Sequence, residues 1–464
     1  MTNSAHQTVA ARFDQVVKAY DIRGTVPDQL DASMVEALGA AFARFALDDG
    51  GSCEQILVAH DMRPTAPELV AAFTRGILTQ GVSVLHLGLC STDELFYASG
   101  QYDAPGAQLT ASHNPAQYNG IKLCLAGARP IGEDSGLQTI KEMAISGVVA
   151  VAVDPPPTVS EHDALPDFVA HVHRFVDPAV LRPLKVVADT ANGMGGLVAP
   201  AVFAGLPFEL DVLFGELDGT FPNHPADPIQ PENQRDLQAR VLELGADVGL
   251  AFDGDADRVF LVDDKAELLS GSLTTAIVAK VMLEKNPGAT ILHNLICSKA
   301  VPEVIRENGG TPIRTRVGHS LIKKIMADTG AAFGGEHSGH YYFQGNFRAD
   351  SGIIAALVVL EELSRSGQPL SELRKPFERY AASGEINFEV ADPKASIETV
   401  ALAFATNHPS ASQDRLDGLT VDLGAWWFNL RPSNTEPLLR LNLEAPTAQD
   451  VDRHVHEVES IFTG

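Results

Sequence analysis

The stretch DVGLAFDGDADR, residues Asp247–Arg258, joins two patterns that decide how the chain folds. Its first half, Asp247–Asp253, is an apolar run of the kind a buried strand uses. Its second half sets Asp253, Asp255 and Asp257 at i, i+2 and i+4. The acids therefore sit at the C-terminal end of a strand, where open α/β sheets hold ligands. On an extended chain residues two apart share a face, so the spacing predicts three carboxylates projecting to one side. Like charges that close repel unless a cation neutralises them, and hard oxygen ligands suit Mg²⁺ or Ca²⁺. An EF-hand is excluded: its loop needs Gly at position 6 and Glu at position 12, where Arg258 and Asp264 stand.

Outward from this stretch, strand-like and helix-like segments alternate. Gln55–Asp61 is β-rich, Thr65–Gly81 has helical spacing with Thr65 and Pro67 as cap and first-turn residues, and Val82–Gly88 is again a strand. The rhythm resumes at Leu184–Thr190 and runs through a helix at 272–284, a strand at 289–296, a helix with a Gly stop at 300–310 and a strand at 311–317. This order predicts α/β units with at least partly parallel sheets. The 464 residues are too many for one core, since cores stop growing near ~250–300 residues. Three blocks fit, at 1–155, 156–258 and 259–370, with the Pro-rich Val153–Pro166 joining the first two. The remainder, 371–464, runs strand, helix, two strand-like runs around Thr420–Leu430 and Pro437–Ala445, then helix, and is read as a separate α+β domain.

The bulk numbers exclude several classes of function. The chain is 45% hydrophobic and 20% charged, as in a soluble globular protein. Its N-terminal residues lack the apolar core of a secretory signal. The longest fully apolar run, Ile353–Leu360, is far shorter than the ~20 residues a membrane span needs. Cys53, Cys90, Cys124 and Cys297 are scattered, which fits reduced thiols and a cytoplasmic location. A net charge of −26 argues against nucleic acid as a partner. If the substrate is an anion, the site must gather its own cations.

TASHNP, Thr110–Pro115, places Ser112 beside His113. Neighbours on an extended chain point to opposite sides, so His113 is badly placed as a base for Ser112. The chain also lacks the GxSxG elbow of a Ser hydrolase. A serine beside a metal is instead a plausible phosphoryl carrier, with Lys122 of YNGIKL either adding charge nearby or standing on a strand edge. RPSNTEP, Arg431–Pro437, offers a guanidinium fork and short polar donors suited to a phosphate, or an ordinary turn. GGEHSGH, Gly334–His340, has polar side chains between glycines that suit sugar hydroxyls, or a hairpin-like turn. YDIRG (Tyr20–Gly24), GHS (Gly318–Ser320) and DTANGMGG (Asp189–Gly196) are weak signals taken singly.

In this order, TASHNP, DGDADR, GEHSGH and RPSNTEP resemble the motifs of the α-D-phosphohexomutase family. YDIRG, AHDMR (Ala59–Arg63) and DGTFPNHPADP (Asp218–Pro228) fit the same resemblance, which spans nearly the whole chain. Its nearest likeness is to bacterial phosphomannomutase and phosphomannomutase/phosphoglucomutase members. The resemblance implies four domains around a central cleft: three related mixed α/β domains and a C-terminal α+β domain. It implies an intramolecular phosphotransferase of the isomerase class that interconverts mannose 6-phosphate and mannose 1-phosphate, and glucose 6- and 1-phosphates, through a hexose 1,6-bisphosphate. By the same resemblance Ser112 is the phosphoserine and, with Asp253, Asp255 and Asp257, holds Mg²⁺. Arg23, Lys122, His319 and His340 match residues of transfer and proton handling. Tyr20, Arg258, Glu336 and Ser338 match substrate-binding positions, and Arg431, Ser433, Asn434 and Thr435 match a clamp on the unreacting phosphate. Arg23, Lys122, Arg258, His319 and Arg431 are expected to build a basic cleft in an acidic protein. A monomer or homodimer is expected, with a phosphoglucomutase, a phosphoglucosamine mutase, a metal-dependent phosphatase or Ser hydrolase, and a catalytically silent sugar-phosphate binder as the alternatives. His337 and Asn434 depart from the Gln and Gly associated with phosphoglucosamine mutases, and Ile296 stands where some relatives carry a lysine.

Overall fold

The computed structural model describes residues 2–51, 53–432 and 438–463, with the side chains of residues 2–8, 319, 320 and 463 outside the description. The chain forms two compact units. The first comprises Met1–Ser270, Gly318–Gly330 and Ser338–Ser371; the second comprises Gly271–Val317, Ala331–His337 and Glu372–Gly464.

The first unit holds two mixed sheets. In one, Gly106–Leu109, Gln55–His60, Ser83–Leu89 and Val159–Glu161 run parallel, while Tyr118–Leu125 pairs antiparallel with Gly106–Leu109 and with Ile22–Thr25. In the other, Val248–Phe252 lies parallel to Leu184–Asp189, itself parallel to Phe208–Leu213, and antiparallel to Val259–Asp263. Every residue of Val248–Phe252 and Val259–Asp263 is buried, as strands flanked on both sides and covered by helices must be. The helix Arg235–Leu244 supplies part of that cover.

In the second unit Thr290–Asn294 pairs in parallel with Thr311–Thr315 and Phe333–Gly335. A five-stranded sheet of Ala381–Glu389, Leu438–Ala445, Trp427–Pro432, Leu419–Asp422 and Ser412–Asp414 is antiparallel throughout. Phe404 of the helix Pro393–Asn407 and Val458 of Ala448–Thr463 join its core. The expected α/β sheets and C-terminal α+β fold are therefore present. The run around Thr420–Leu430 is two strands rather than one, because Gly424 takes φ +85° and Leu423 N–H donates to Trp426 O at 3.0 Å, closing a turn. Thr65 precedes the helix Ala66–Leu78 without capping it; its Oγ1 accepts from Asn119 Nδ2 at 3.0 Å. The run Ile353–Leu360 lies buried within the helix Gly352–Ser366, and no helix of the described residues is long and apolar enough to cross a membrane.

The helices Ala32–Gly50 and Ala66–Leu78 touch backbone to backbone. A Cβ on Gly39 would stand 2.2 Å from Phe73 O, and one on Gly76 would stand 2.0 Å from Glu36 O. No flexible side chain can yield at either point, so Gly76→Ala is expected to destabilise by about 1–3 kcal/mol in urea unfolding. Gly50→Ala, where a Cβ meets nothing within 4 Å, is expected to change stability by less than about 1 kcal/mol.

Candidate active site

The acidic triplet closes the hairpin between Val248–Phe252 and Val259–Asp263, whose last pair is Phe252 with Val259. It is a turn, not the extended chain its spacing predicts: Ala256 has φ +62° and its N–H donates to Asp253 O at 3.1 Å. The turn, rather than a pleat, gathers the carboxylates. One oxygen from each of Asp253, Asp255 and Asp257 lies within 4.8 Å of the others, and none of the three residues is more than 1% exposed.

Ser112 reaches the same point from another sheet. Its Oγ donates to Asp253 Oδ2 at 2.8 Å across 141 positions of sequence. Gly254 permits the approach, since a Cβ there would lie 2.5 Å from Ser112 O. Gly193 of DTANGMGG does the same one layer behind, its Cβ position being 2.6 Å from Gly254 O.

Ser112 itself has φ +49°, a left-handed backbone. This overturns the expectation for His113, because the alternation of an extended chain does not apply. His113 Nδ1 lies 3.2 Å from Ser112 Oγ. The nearby Arg258 guanidinium, together with burial, pushes the imidazole well below its ordinary range, so His113 is neutral beside the serine.

Two buried cations face the three acids. Lys122 Nζ lies 2.6 Å from both Asp255 Oδ2 and Asp257 Oδ2. Arg258 Nε donates to Asp253 Oδ2 at 2.8 Å, and its Nη2 lies 3.5 Å from Ser112 Oγ. Thr92, for which the sequence carries no local signal, donates its hydroxyl to Asp255 Oδ2 at 2.5 Å. Burial pushes Asp253 up to about 8 and raises Asp257. Burial also opposes ionisation of Asp255, but the Lys122 ammonium outweighs it and holds that carboxyl well below its usual range. The triplet cannot carry three full charges at neutral pH without more positive charge than Lys122 and Arg258 supply. Asp255 Oδ1 and Asp257 Oδ1 are buried with no hydrogen-bond partner. Orphaned carboxylate oxygens in this arrangement fit a hard divalent cation.

Four of the five cations expected in a basic cleft, Arg23, Lys122, Arg258 and Arg431, are paired with carboxylates, and the fifth, His319, has its side chain outside the described residues. Besides Lys122 and Arg258, Arg23 lies 2.5 Å from Asp21 Oδ2 and donates to Asn114 Oδ1 at 2.5 Å. Arg431 lies 2.5 Å from Glu385 Oε2. A phosphate binding at these positions must exchange with carboxylates already there. The backbone of His340 pairs with that of Arg258 in an isolated antiparallel β-bridge, and His340 Nε2 lies 3.8 Å from Asp257 Oδ1 and 3.9 Å from Asp350 Oδ2. Ser338 Oγ is 3.1 Å from His340 Nδ1. Tyr20 packs on Gly318, where a Cβ would fall 2.7 Å from the phenol oxygen, so YDIRG and GHS meet. His319 begins the helix His319–Thr329, with its side chain outside the description.

In the second unit Glu336 is buried and accepts from Asn294 Nδ2 at 3.2 Å, and His337 Nδ1 is 2.9 Å from Ser272 Oγ. Ser433, Asn434 and Thr435 lie outside the described residues.

This arrangement of an acid cluster, a buried serine and flanking cations occurs in a chain with close known relatives. Four phosphoglucomutase/phosphomannomutase profiles match it: alpha/beta/alpha domain I at residues 14–146, domain II at 166–267, domain III at 270–380 and the C-terminal domain at 385–461. It is 38% identical over 452 residues to the phosphohexose mutases of Xanthomonas campestris pv. campestris, covering 96% of this chain and 99% of that one. It is 36% identical over 440 residues to the phosphomannomutase/phosphoglucomutase of Pseudomonas aeruginosa, covering 94% and 93%. The crystal structure of a phosphoglucomutase/phosphomannomutase family protein from Burkholderia thailandensis superposes with a TM-score of 0.87 at 30% identity, covering 97% of this chain and 96% of that one. The chain belongs to the α-D-phosphohexomutase family and is a phosphohexomutase, an isomerase.

The helix Thr92–Tyr102 that presents Thr92 carries two more buried acids. Burial pushes Asp93 up to about 7 and Glu94 up to about 8, and Glu94 Oε2 has no hydrogen-bond partner. A carboxyl raised by folding contributes stability that is complete below its unfolded value and is lost as pH rises through the folded one. Stability is therefore expected to fall between about pH 4 and about pH 8 on account of these groups. Glu94→Gln, unable to ionise, is expected to gain on the wild type as pH rises, read by urea unfolding at about pH 6 and about pH 9. An equal difference at both pH values would contradict the assignment.

Proposed function

We propose that this phosphohexomutase is a phosphomannomutase that also accepts glucose phosphates, and that Ser112 carries the phosphoryl group. The observation that carries the reading is the 2.8 Å contact between Ser112 Oγ and Asp253 in a cluster of three buried aspartates. A serine so placed can hand over and retrieve a phosphoryl group where negative charge is already countered.

In the forward direction the Ser112 O–P bond breaks as an O–P bond forms to the free hydroxyl of a hexose monophosphate. The hydroxyl proton leaves to a base, for which His340, flanked by Asp257 and Asp350, is our candidate. The freed Ser112 oxygen takes up a proton as the sugar hydroxyl gives one up, restoring the hydroxyl that contacts Asp253, Arg258 and His113. The bisphosphorylated sugar turns over and returns its other phosphoryl group to Ser112. Lys122, Arg23 and His319 counter charge during these transfers, and Tyr20 and Arg258 border the substrate. Glu336 and Ser338 read sugar hydroxyls; Arg431, Ser433, Asn434 and Thr435 grip the unreacting phosphate, for which Arg431 must leave Glu385. Asp253, Asp255, Asp257 and Ser112 would hold Mg²⁺, which when bound supplies positive charge against the transferring oxygens. The motifs divide among domains at 1–155, 156–258, 259–370 and 371–464. A relative matched over 93% of its length that carries both phosphomannomutase and phosphoglucomutase in its name supports the sugar assignment.

Intact-mass spectrometry of the purified protein is expected to show a species heavier by about 80 Da that Ser112→Ala abolishes. The same substitution is expected to cut turnover of mannose 1-phosphate and glucose 1-phosphate at least about a thousandfold, with glucosamine 1-phosphate a poor substrate of the wild type. Free phosphate as the main product would replace the mutase reading with a phosphatase.

A further inference from the structure

Arg63, in AHDMR, takes no part in the chemistry above, yet its side chain is wholly buried. All five of its N–H groups are used. Nε donates to Asp61 Oδ2 at 3.1 Å. Nη1 donates to Pro115 O at 2.8 Å and Tyr118 O at 2.9 Å. Nη2 donates to Ser112 O at 2.8 Å and Asn114 O at 2.7 Å. Four of the five bonds thus end on backbone carbonyls of the segment that carries Ser112.

Asp61 reaches the same residue from the other side. Its Oδ2 accepts from Thr110 Oγ1 at 2.6 Å, and Thr110 Oγ1 accepts from Ser112 N–H at 2.9 Å. Both backbone groups of Ser112 therefore terminate on one buried ion pair, through the amide on the acid and through the carbonyl on the base. A non-glycine residue in left-handed conformation persists where its surroundings over-determine it. Here that conformation, φ +49°, is what puts Oγ beside Asp253. The far face of the guanidinium is covered as well: the Phe221 ring centre lies 5.2 Å from Arg63 Cζ, and a Cβ on Gly219 would come within 2.5 Å of Arg63 Cα. DGTFPNHPADP is thereby the lid over Arg63.

We propose that Arg63, with Asp61 and Thr110, is a positioning residue for phosphoryl transfer, holding the Ser112 backbone in the conformation that aims Oγ at the aspartate cluster. Its kinetic consequence rests on the phosphoserine reading; the anchoring itself does not. A lysine cannot substitute, because one ammonium lacks the planar fork that spans carbonyls on both sides of the loop.

The test uses the full-length enzyme with Mg²⁺ and mannose 1-phosphate. Arg63→Lys is expected to lower kcat at least about a hundredfold with KM changed less than about threefold, since a displacement of about 1 Å at the reacting group has that effect. Thr110→Val, which removes the hydroxyl that takes the Ser112 amide, is expected to lower kcat likewise, and Thr110→Ser to restore it. Hydrogen exchange of the peptide spanning residues 110–118 is expected to quicken in Arg63→Lys and Thr110→Val, with the strand Val248–Phe252 unchanged. If Arg63→Lys fails to fold, the Thr110 pair decides. Unaltered kcat in the folded variants, a loss that Thr110→Ser does not restore, or unaltered exchange would each overturn the proposal. A wild type that turns over no hexose phosphate would overturn the functional reading instead, while the exchange result would still judge the anchor.

Discussion

Three carboxylates buried in contact with two cations are the constraint on which the site depends. Each ion would be costly to bury alone; Asp253 finds its cation five residues on, in Arg258, whereas Asp255 and Asp257 find theirs in Lys122, far away in sequence. Lys122 belongs to the strand Tyr118–Leu125 of one sheet, whereas Asp255 and Asp257 belong to a turn of the next. Their pairing therefore ties two sheets of the first unit together. The balance is incomplete, because three ionised acids would exceed the two cations by one charge and two carboxylate oxygens have no donor. A protein that merely needed a stable core would not leave this remainder. A site that takes up a cation has a use for it.

The backbone makes room for this contact at a few chosen points. Gly254 and Gly193 remove the side chains that would otherwise separate Ser112 from the turn. Ala256 and Ser112 both adopt left-handed backbones, and each lies at a place where a regular strand would have sent the functional group elsewhere. The two strands beneath the turn, Val248–Phe252 and Val259–Asp263, are fully buried and pair without a register shift, so at this point the irregularity lies in the loops that carry the chemistry.

Much of the fold is legible in the sequence because hydrophobic alternation and helix spacing are local. The strands Gln55–His60, Leu184–Asp189 and Val248–Phe252 are there to be read, and so is the acid triplet at the end of the last of them. What is not legible is imposed from a distance. The backbone of Ser112 is set by Arg63 and Thr110, and hence His113 comes within 3.2 Å of a hydroxyl that local geometry would have denied it. The turn at Asp253–Asp257, closed by the Ala256 N–H on Asp253 O, includes a left-handed alanine that nothing in its side chain requires. The pairing of Arg23, Lys122, Arg258 and Arg431 with carboxylates cannot be inferred from a count of basic residues. Thr92, held to Asp255 across 163 positions, has no motif at all.

The most direct measurement is anomalous diffraction from crystals of the enzyme grown with Mn²⁺ in place of Mg²⁺. One strong anomalous peak is expected at Asp253, Asp255 and Asp257, about 2.0–2.3 Å from an oxygen of each and within coordination reach of Ser112 or its phosphoryl group. A fully occupied ion elsewhere with the triplet empty, or an ion on the triplet that leaves Ser112 remote, would contradict the account.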